Sequence, residues 1–159
     1  MKISIFGGGS WGTTLASLLA GNNKDSEVVL WAREEEVRES IEKDRENRKF
    51  LPGVKLSDNL KVTNDIREAA ENSDILVNAI PSQFARETAK KYSKHLKEGI
   101  TIVTVSKGLE NHTFKRISEV LKEEIPNIKI AVLSGPNHAE EVSRKIPAAT
   151  VIASTEADC

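Results

Sequence analysis

The sequence predicts an α/β domain built on a doubly wound, mostly parallel sheet. Three observations carry that reading. Short apolar runs alternate with charged, helix-periodic stretches along the whole chain, the pattern of buried parallel strands covered by helices on both faces. The first apolar run, Lys2-Ile3-Ser4-Ile5-Phe6, passes straight into Gly7-Gly8-Gly9-Ser10-Trp11-Gly12 and then into a helical stretch from Ser10 to about Gly21. A second apolar run, Glu27 to Trp31, follows at the distance that closes a compact βαβ unit.

Gly7, Gly9 and Gly12 fill the three glycine places of G-x-G-x-x-G. Gly7 permits the turn, Gly9 lets a pyrophosphate approach the backbone, and Gly12 lets the helix pack close to the strand. The unpaired N–H groups at the start of that helix then face the phosphates with a favourable dipole. A dinucleotide site is therefore expected at the first turn.

The remaining elements follow in order. Glu34 to Asn47 reads as a charged cover helix with Val37 and Ile41 on its inner face. Phe50-Leu51-Pro52-Gly53-Val54 reads as a loop that packs against something. Leu60 to Thr63 is a brief strand, and Asp65 to Asn72 a short helix capped by Asn64 or Asp65. Asp74 to Ile80 is a nearly all-apolar strand that stops at Pro81. Ser82 opens a helix to about Leu96, with Phe84, Ala85, Ala89 and Tyr92 at core spacing and Gly99 closing it. Ile100 to Val105 is a strand, Thr113 to Glu124 a helix ended by Pro126, Lys129 to Leu133 a strand, and a helix starts near Asn137. Ala148 to Ala153 is the last strand, and Ser154 to Asp158 has the look of a cap and first turn of a further helix. The alternation is Rossmann-type, with ligands expected at the carboxyl ends of the strands.

The 159 residues suit one domain with a real core. A net charge of −1 argues against a nucleic-acid or anionic-membrane partner, and the 4% aromatic content against a single-strand binder. Cys159 is the sole cysteine, so an intramolecular disulfide is excluded, and no metal site is expected. There is no apolar run of membrane-spanning length, and the chain opens directly in a strand, so a cytoplasmic protein is the expectation.

Five strand ends carry loops expected to line one rim: 7–11, Ala32-Arg33, Ile80-Pro81-Ser82, Ser106-Lys107-Gly108, and 134–139. Arg33 stands where NAD-selective sites carry an acidic residue, about 20 residues beyond the glycines, and a guanidinium suits a 2′-phosphate. NADP is favoured, with NAD still open. Lys107, before Gly108, reads either as a group that polarises a carbonyl or holds an anion, or as a solvated surface lysine. Gly135-Pro136 reads either as a second anion-meeting helix start or as a capped turn. His95, His112 and His138 are too scattered for a metal, and His138 reads as packing or capping. Trp11 and Trp31 read as core or rim aromatics, Trp11 being the one placed to cover a nicotinamide.

Together these segments resemble, in order and over essentially the whole chain, bacterial NAD(P)-dependent glycerol-3-phosphate dehydrogenase. The segments are Gly7 to Thr13, Val29 to Arg33, Phe50 to Val54, Ile80-Pro81-Ser82, Ser106 to Glu110 and Ser134 to Val142. The resemblance implies dinucleotide contacts from Ser10, Trp11, Arg33, Lys107 and Ala139, beside Pro81 on the rim, with Lys49 and Phe50 near the adenosine end. It implies substrate contacts from Lys107, Gly135 and Asn137. Asn137 stands where Ser or Thr is expected, and Ala32 where some members carry a second Arg. The family also carries a helical C-terminal domain that supplies a catalytic lysine, and this sequence stops before it. The chain is thus expected to be the cofactor domain, residues 1–159, of an enzyme that reduces dihydroxyacetone phosphate to sn-glycerol 3-phosphate for phospholipid synthesis, homodimeric at full length and inactive as this piece. A ketopantoate or hydroxyacid reductase of the same build, or a non-catalytic dinucleotide sensor, are the alternatives.

Overall fold

The computed structural model describes residues 1–156. Seven strands form one sheet: β1 (Lys2–Phe6), β2 (Glu27–Trp31), β3 (Leu60–Thr63), β4 (Ile75–Asn78), β5 (Thr101–Thr104), β6 (Lys129–Ser134) and β7 (Val151–Ser154). Their order is β3-β2-β1-β4-β5-β6-β7, parallel except that β7 runs antiparallel to β6. The chain winds outward from β1 in one direction and, from β4 on, in the other. The crevice between β1 and β4 is the switch point where such sheets bind ligands.

The helices are α1 (Ser10–Asn22), α2 (Glu35–Asp44), α3 (Ile66–Ala70), α4 (Ser82–Tyr92), α5 (Ile117–Glu124) and α6 (Ala139–Ser143). Alternate strand side chains go to opposite faces, so two cores form. Ile3, Ile5, Val28 and Leu30 pack with Ala16 and Ala20 of α1 and Val37 and Ile41 of α2. Phe6, Val29 and Leu76 pack with Ala85, Ala89 and Tyr92 of α4 and Leu121 of α5. The Phe6 ring lies 4.7 Å from that of Tyr92 and 5.5 Å from that of Trp31. Each fully buried side chain of this size contributes about 1.5–3 kcal/mol.

Helix α3 has only five residues and is held by caps at both ends. Asp65 accepts from the Arg67 and Glu68 amides at 2.8 and 3.3 Å. Lys2 Nζ donates to the Glu68 and Glu71 carbonyls at 2.7 and 2.6 Å, placing a cation at the negative end of the helix. No helix among the described residues is long and apolar enough to cross a membrane.

Several boundaries differ from expectation. Helix α2 stops at Asp44 because Arg45 turns into the left-handed region (φ 54°), where its guanidinium donates to the Leu60 carbonyl at 2.7 Å. Helix α4 tightens into a 3₁₀ turn at Ser93–His95, so Gly99 (φ 72°) lies past its end rather than at it. Helix α5 starts at Ile117, not Thr113, since His112 and Phe114 hold positive φ in a loop closed by a bridge between Leu109 and Arg116. The last strand is shifted to Val151–Ser154, and Ser154, its last residue, accepts from the Glu156 amide at 3.0 Å through its Oγ. Ala157 and Asp158 of the helix expected there, and Cys159, lie outside the described residues. Phe84, expected in the core, is 46% exposed.

Arg86 on α4 ties three carboxylates together. Its guanidinium donates to both Glu110 oxygens at 2.7 and 2.9 Å and to Glu123 at 2.8 Å, and it also pairs with Glu124. The fork from Arg86, with a bond from Thr113, holds the Glu110 carboxyl down to about 2 from its ordinary 4.5. A depressed carboxylate stabilises the fold above its unfolded pKa and loses that contribution as pH falls through the folded value. The urea midpoint is therefore expected to fall between about pH 4.5 and 2. In Arg86→Gln it starts lower, and the gap from wild type closes across that same window; a gap that stays constant with pH would contradict the assignment.

Candidate dinucleotide site

The glycine turn is built from contacts that exclude side chains. Gly7 has φ 125°, and a Cβ there would lie 2.6 Å from the Ala79 carbonyl oxygen. A Cβ on Gly12 would lie 2.0 Å from the Gly7 carbonyl oxygen, so α1 is seated on the turn at a distance only glycine permits. Gly8, outside the motif, is pinned as well, since its Cβ would meet that of the fully buried Ala32 at 2.7 Å. Ala32 thus points beneath the turn, where an arginine has no room. Nothing lies within 4 Å of a Cβ on Gly9, which leaves open space over the turn where a pyrophosphate would rest. Helix α1 has neither a side-chain cap nor an acidic residue in its first turn. Its leading amides remain available to an anion.

A buried asparagine braces this turn from below. Asn47 donates from Nδ2 to the Gly8 carbonyl at 2.8 Å and to Thr13 Oγ1 at 2.9 Å, and its Oδ1 accepts from the Phe50 amide at 3.1 Å. One fully buried side chain therefore links the glycine turn, the first turn of α1 and the 47–51 loop.

Two hollows flank Pro81. The first, of about 240 Å³, lies between the glycine turn and α4, with Arg33, Glu34, Phe50 and Phe84 on its walls. The Arg33 guanidinium sits 5.8 Å from the Phe84 ring centre and pairs with Glu34 at 2.9 Å. The second, of about 420 Å³, holds Ser10, Trp11, Ser106, Lys107, Asn137 and Ala139. Lys107 Nζ donates to the Asn137 carbonyl at 3.3 Å, and Thr14 Oγ1 to the Ala139 carbonyl at 3.3 Å, which tie residues 137–139 to the loop after β5 and to α1.

The loop that carries Lys107 is anchored by a second buried asparagine. Asn78 donates to Ser106 Oγ at 3.0 Å, Ser106 Oγ donates to the Ile80 carbonyl at 2.6 Å, and the Tyr92 hydroxyl donates to Asn78 Oδ1 at 3.4 Å. Burial pushes the Tyr92 phenol well above its ordinary value, so it stays a donor.

Of the residues expected from sequence, Gly7, Gly9, Arg33, Phe50 and Pro81 meet at the first hollow, and Ser10, Trp11, Lys107, Asn137, Ala139 and again Pro81 at the second. Gly12 lies beneath the turn. Lys49 lines neither hollow: it pairs with Glu36 and sits 5.4 Å from the Phe50 ring. Gly135 also lines neither. Its φ of 156° and a would-be Cβ 2.4 Å from the Ala149 carbonyl oxygen give it a packing role. The Asn137 amide nitrogen is committed to Ala149 O at 2.8 Å and Thr150 Oγ1 at 3.1 Å. His138 stands at the start of α6 with an exposed side chain that makes no cap bond, so it neither packs nor caps. Trp31 is a core residue whose Nε1 donates to the Asn64 carbonyl at 3.1 Å. Asn47, Asn78 and Phe84 were not legible as site residues. Phe84 alone had a signal, its place in the first turn of a helix leaving a strand end.

Asn47→Ala leaves the Gly8 carbonyl with only the longer bond from the Thr13 hydroxyl at 3.3 Å and takes the partner of the Phe50 amide away. Leaving buried polar groups unpaired costs about 1–3 kcal/mol, so the melting temperature is expected to drop by several degrees, about 2–4 °C per kcal/mol at this size. Thermal melting by circular dichroism checks it; an unchanged transition would remove Asn47 from this role.

Comparison with known proteins accords with this geometry. A family described as NAD-dependent glycerol-3-phosphate dehydrogenase N-terminus matches residues 2–159. A protein of Chlorobium phaeobacteroides named glycerol-3-phosphate dehydrogenase [NAD(P)+] is 49% identical over 158 residues, covering 98% of this chain and 46% of its own length. One of the same name from Syntrophomonas wolfei is 45% identical, covering 96% and 45%. The crystal structure of glycerol-3-phosphate dehydrogenase from Coxiella burnetii superposes with a TM-score of 0.90 at 29% identity, over 99% of this chain and 47% of that one. The chain spans less than half the length of these relatives. With residues 2–159 matched from the first strand through the glycine turn to the last, the chain belongs to the family of NAD-dependent glycerol-3-phosphate dehydrogenase N-termini.

Proposed function

We propose that residues 1–159 form the dinucleotide-binding half of a cytoplasmic enzyme that reduces dihydroxyacetone phosphate to sn-glycerol 3-phosphate for phospholipid synthesis. The observation that carries this reading is one groove with two anion-ready features, the open amides of α1 and Lys107, on the same side of Pro81. The names of the relatives, which include NAD(P)+ and glycerol 3-phosphate, support it.

In this reading the amides of Ser10, Trp11 and Gly12 take the pyrophosphate over Gly9. Phe50, Phe84 and Arg33 flank the adenosine end, where Arg33 favours a 2′-phosphate, so NADP(H) is preferred and NAD(H) accepted. The reduced nicotinamide, when bound, supplies hydride to the substrate carbonyl carbon. Lys107 draws charge onto the carbonyl oxygen and positions it, with the Asn137 carbonyl fixing its ammonium. Trp11 screens the same hollow from water. The proton for the product alcohol comes from a lysine beyond residue 159, as the family resemblance implies, in an enzyme that is homodimeric at full length.

Two outcomes test this. The 159-residue chain is expected to bind NADPH, seen as quenching of Trp11 fluorescence, without consuming it when dihydroxyacetone phosphate is added; turnover by this chain alone would refute the division of labour. In the full-length enzyme Lys107→Met is expected to lower kcat by about 10²–10³-fold, the scale of removing one electrostatic stabiliser, with NADPH affinity changed far less. Unaltered kcat would make Lys107 a surface lysine.

A further inference from the structure

We propose that Arg86 is a positioning residue for the reaction: its fork on Glu110 fixes the loop that carries Lys107, and so sets the rate at which the bound carbonyl is reduced. The inference rests on the reading of Lys107 as the group that draws charge onto that carbonyl, and extends it to a residue on another element.

The segment around Lys107 has little of its own to hold it. Gly108 has no side chain and takes φ 88°, and Leu109 is 49% exposed. A stretch without buried side chains takes its position from its ends. The upstream end is Ser106, whose Oγ accepts from the Asn78 amide at 3.0 Å and donates to the Ile80 carbonyl at 2.6 Å. The downstream end is Glu110, and there Arg86 donates to both carboxylate oxygens at 2.7 and 2.9 Å. Glu110 carries that constraint into the chain that follows. Its amide donates to the Lys115 carbonyl at 2.9 Å, and its carbonyl accepts from the Phe114 amide at 3.0 Å.

The fork is sheltered as well as paired, with the Arg86 side chain 26% exposed and that of Glu110 12%. Arg86 is itself held by Glu123 and Glu124 of α5, so the loop end is referred to two helices at once. Ser82 lies one turn before Arg86 on the same face of α4, and a Cβ on Gly108 would stand 3.7 Å from its Oγ. Helix α4 therefore runs alongside the loop from Gly108 to Glu110. Two parallel bonds from a planar guanidinium fix direction as well as distance, which an ammonium does not. The bond from Lys107 to the Asn137 carbonyl, at 3.3 Å, is longer than usual and holds the loop weakly. A charge that polarises a carbonyl acts only from the right place, and a shift of about 1 Å caused far from the chemistry costs up to about 10²-fold in rate.

The test is steady-state kinetics of the full-length enzyme with dihydroxyacetone phosphate and NADPH, with thermal melting alongside. The variants are Arg86→Gln, Arg86→Lys, Lys107→Met, and each Arg86 change combined with Lys107→Met. Arg86→Gln is expected to lower kcat by about 5- to 30-fold while NADPH binding stays within about twofold of wild type. Arg86→Lys keeps the cation and serves if the glutamine variant does not fold; it is expected to lower kcat too, because it lacks the fork. In the Lys107→Met background either change should lower kcat further by less than about twofold, since the two residues act as a unit, while the melting temperature still falls. A merely structural role predicts the same loss of rate in both backgrounds. The proposal is overturned if the full loss recurs without Lys107, if Arg86→Lys works at the wild-type rate, or if Arg86→Gln does so while Lys107→Met is impaired. A kcat that Lys107→Met leaves unaltered overturns the underlying reading of Lys107, and this inference with it.

Discussion

The contact between Gly12 and the Gly7 carbonyl governs the rest of this molecule. With only 2.0 Å available where a Cβ would stand, α1 can begin nowhere else, and its first amides are aimed at the crevice between β1 and β4. From that seat Thr14 reaches the Ala139 carbonyl and Thr13 meets Asn47, so the start of α6 and the 47–51 loop take their positions from the same helix. The groove's two ends are thereby referred to one element. A shift of α1 would move both.

The site's precision comes from polar groups that never touch a ligand. Asn47 lies under the glycine turn and Asn78 under the loop that carries Lys107, and each has its amide satisfied in a closed set of bonds. A satisfied buried amide adds little net stability, yet a misplaced one strands several partners at once. Such groups act mainly by admitting a single arrangement of the strand ends above them. The Arg86 fork does the same from outside, fastening Glu110 a few residues beyond Lys107 to the side of α4.

Much of this was legible in the sequence because it depends on local order. Apolar runs marked the strands, the glycine spacing marked the first turn, and Asp65 marked the start of α3, all through forces acting within a few residues. What stayed hidden depends on partners far along the chain. Asn47 looks like any polar residue until Gly8, 39 positions away, supplies its acceptor. Phe84 fits the helical spacing of a core residue but sits where α4 leaves the sheet, so its ring meets Arg33 instead of the interior. The late start of α5 arises from left-handed residues at His112 and Phe114, a conformation nothing in their side chains announces. Gly135 and Asn137 read as ligand groups, yet much of their bonding and packing goes to residues 149 and 150, a strand approach whose path only the fold reveals.

The first strand of the chain lies inside the sheet, with a neighbour on each edge. β1 pairs with β2 about 25 residues on, but its other edge waits for β4, with Ile3 facing Ile75. The opening βαβ unit can therefore assemble from neighbours, whereas the crevice requires a closure across 72 residues, as between the Lys2 amide and Asp74. The phosphate-facing turn thus opens a unit paired between near neighbours, whereas the wall built on β4 and β5, which gives a bound molecule a second side, depends on pairing between segments far apart in the chain.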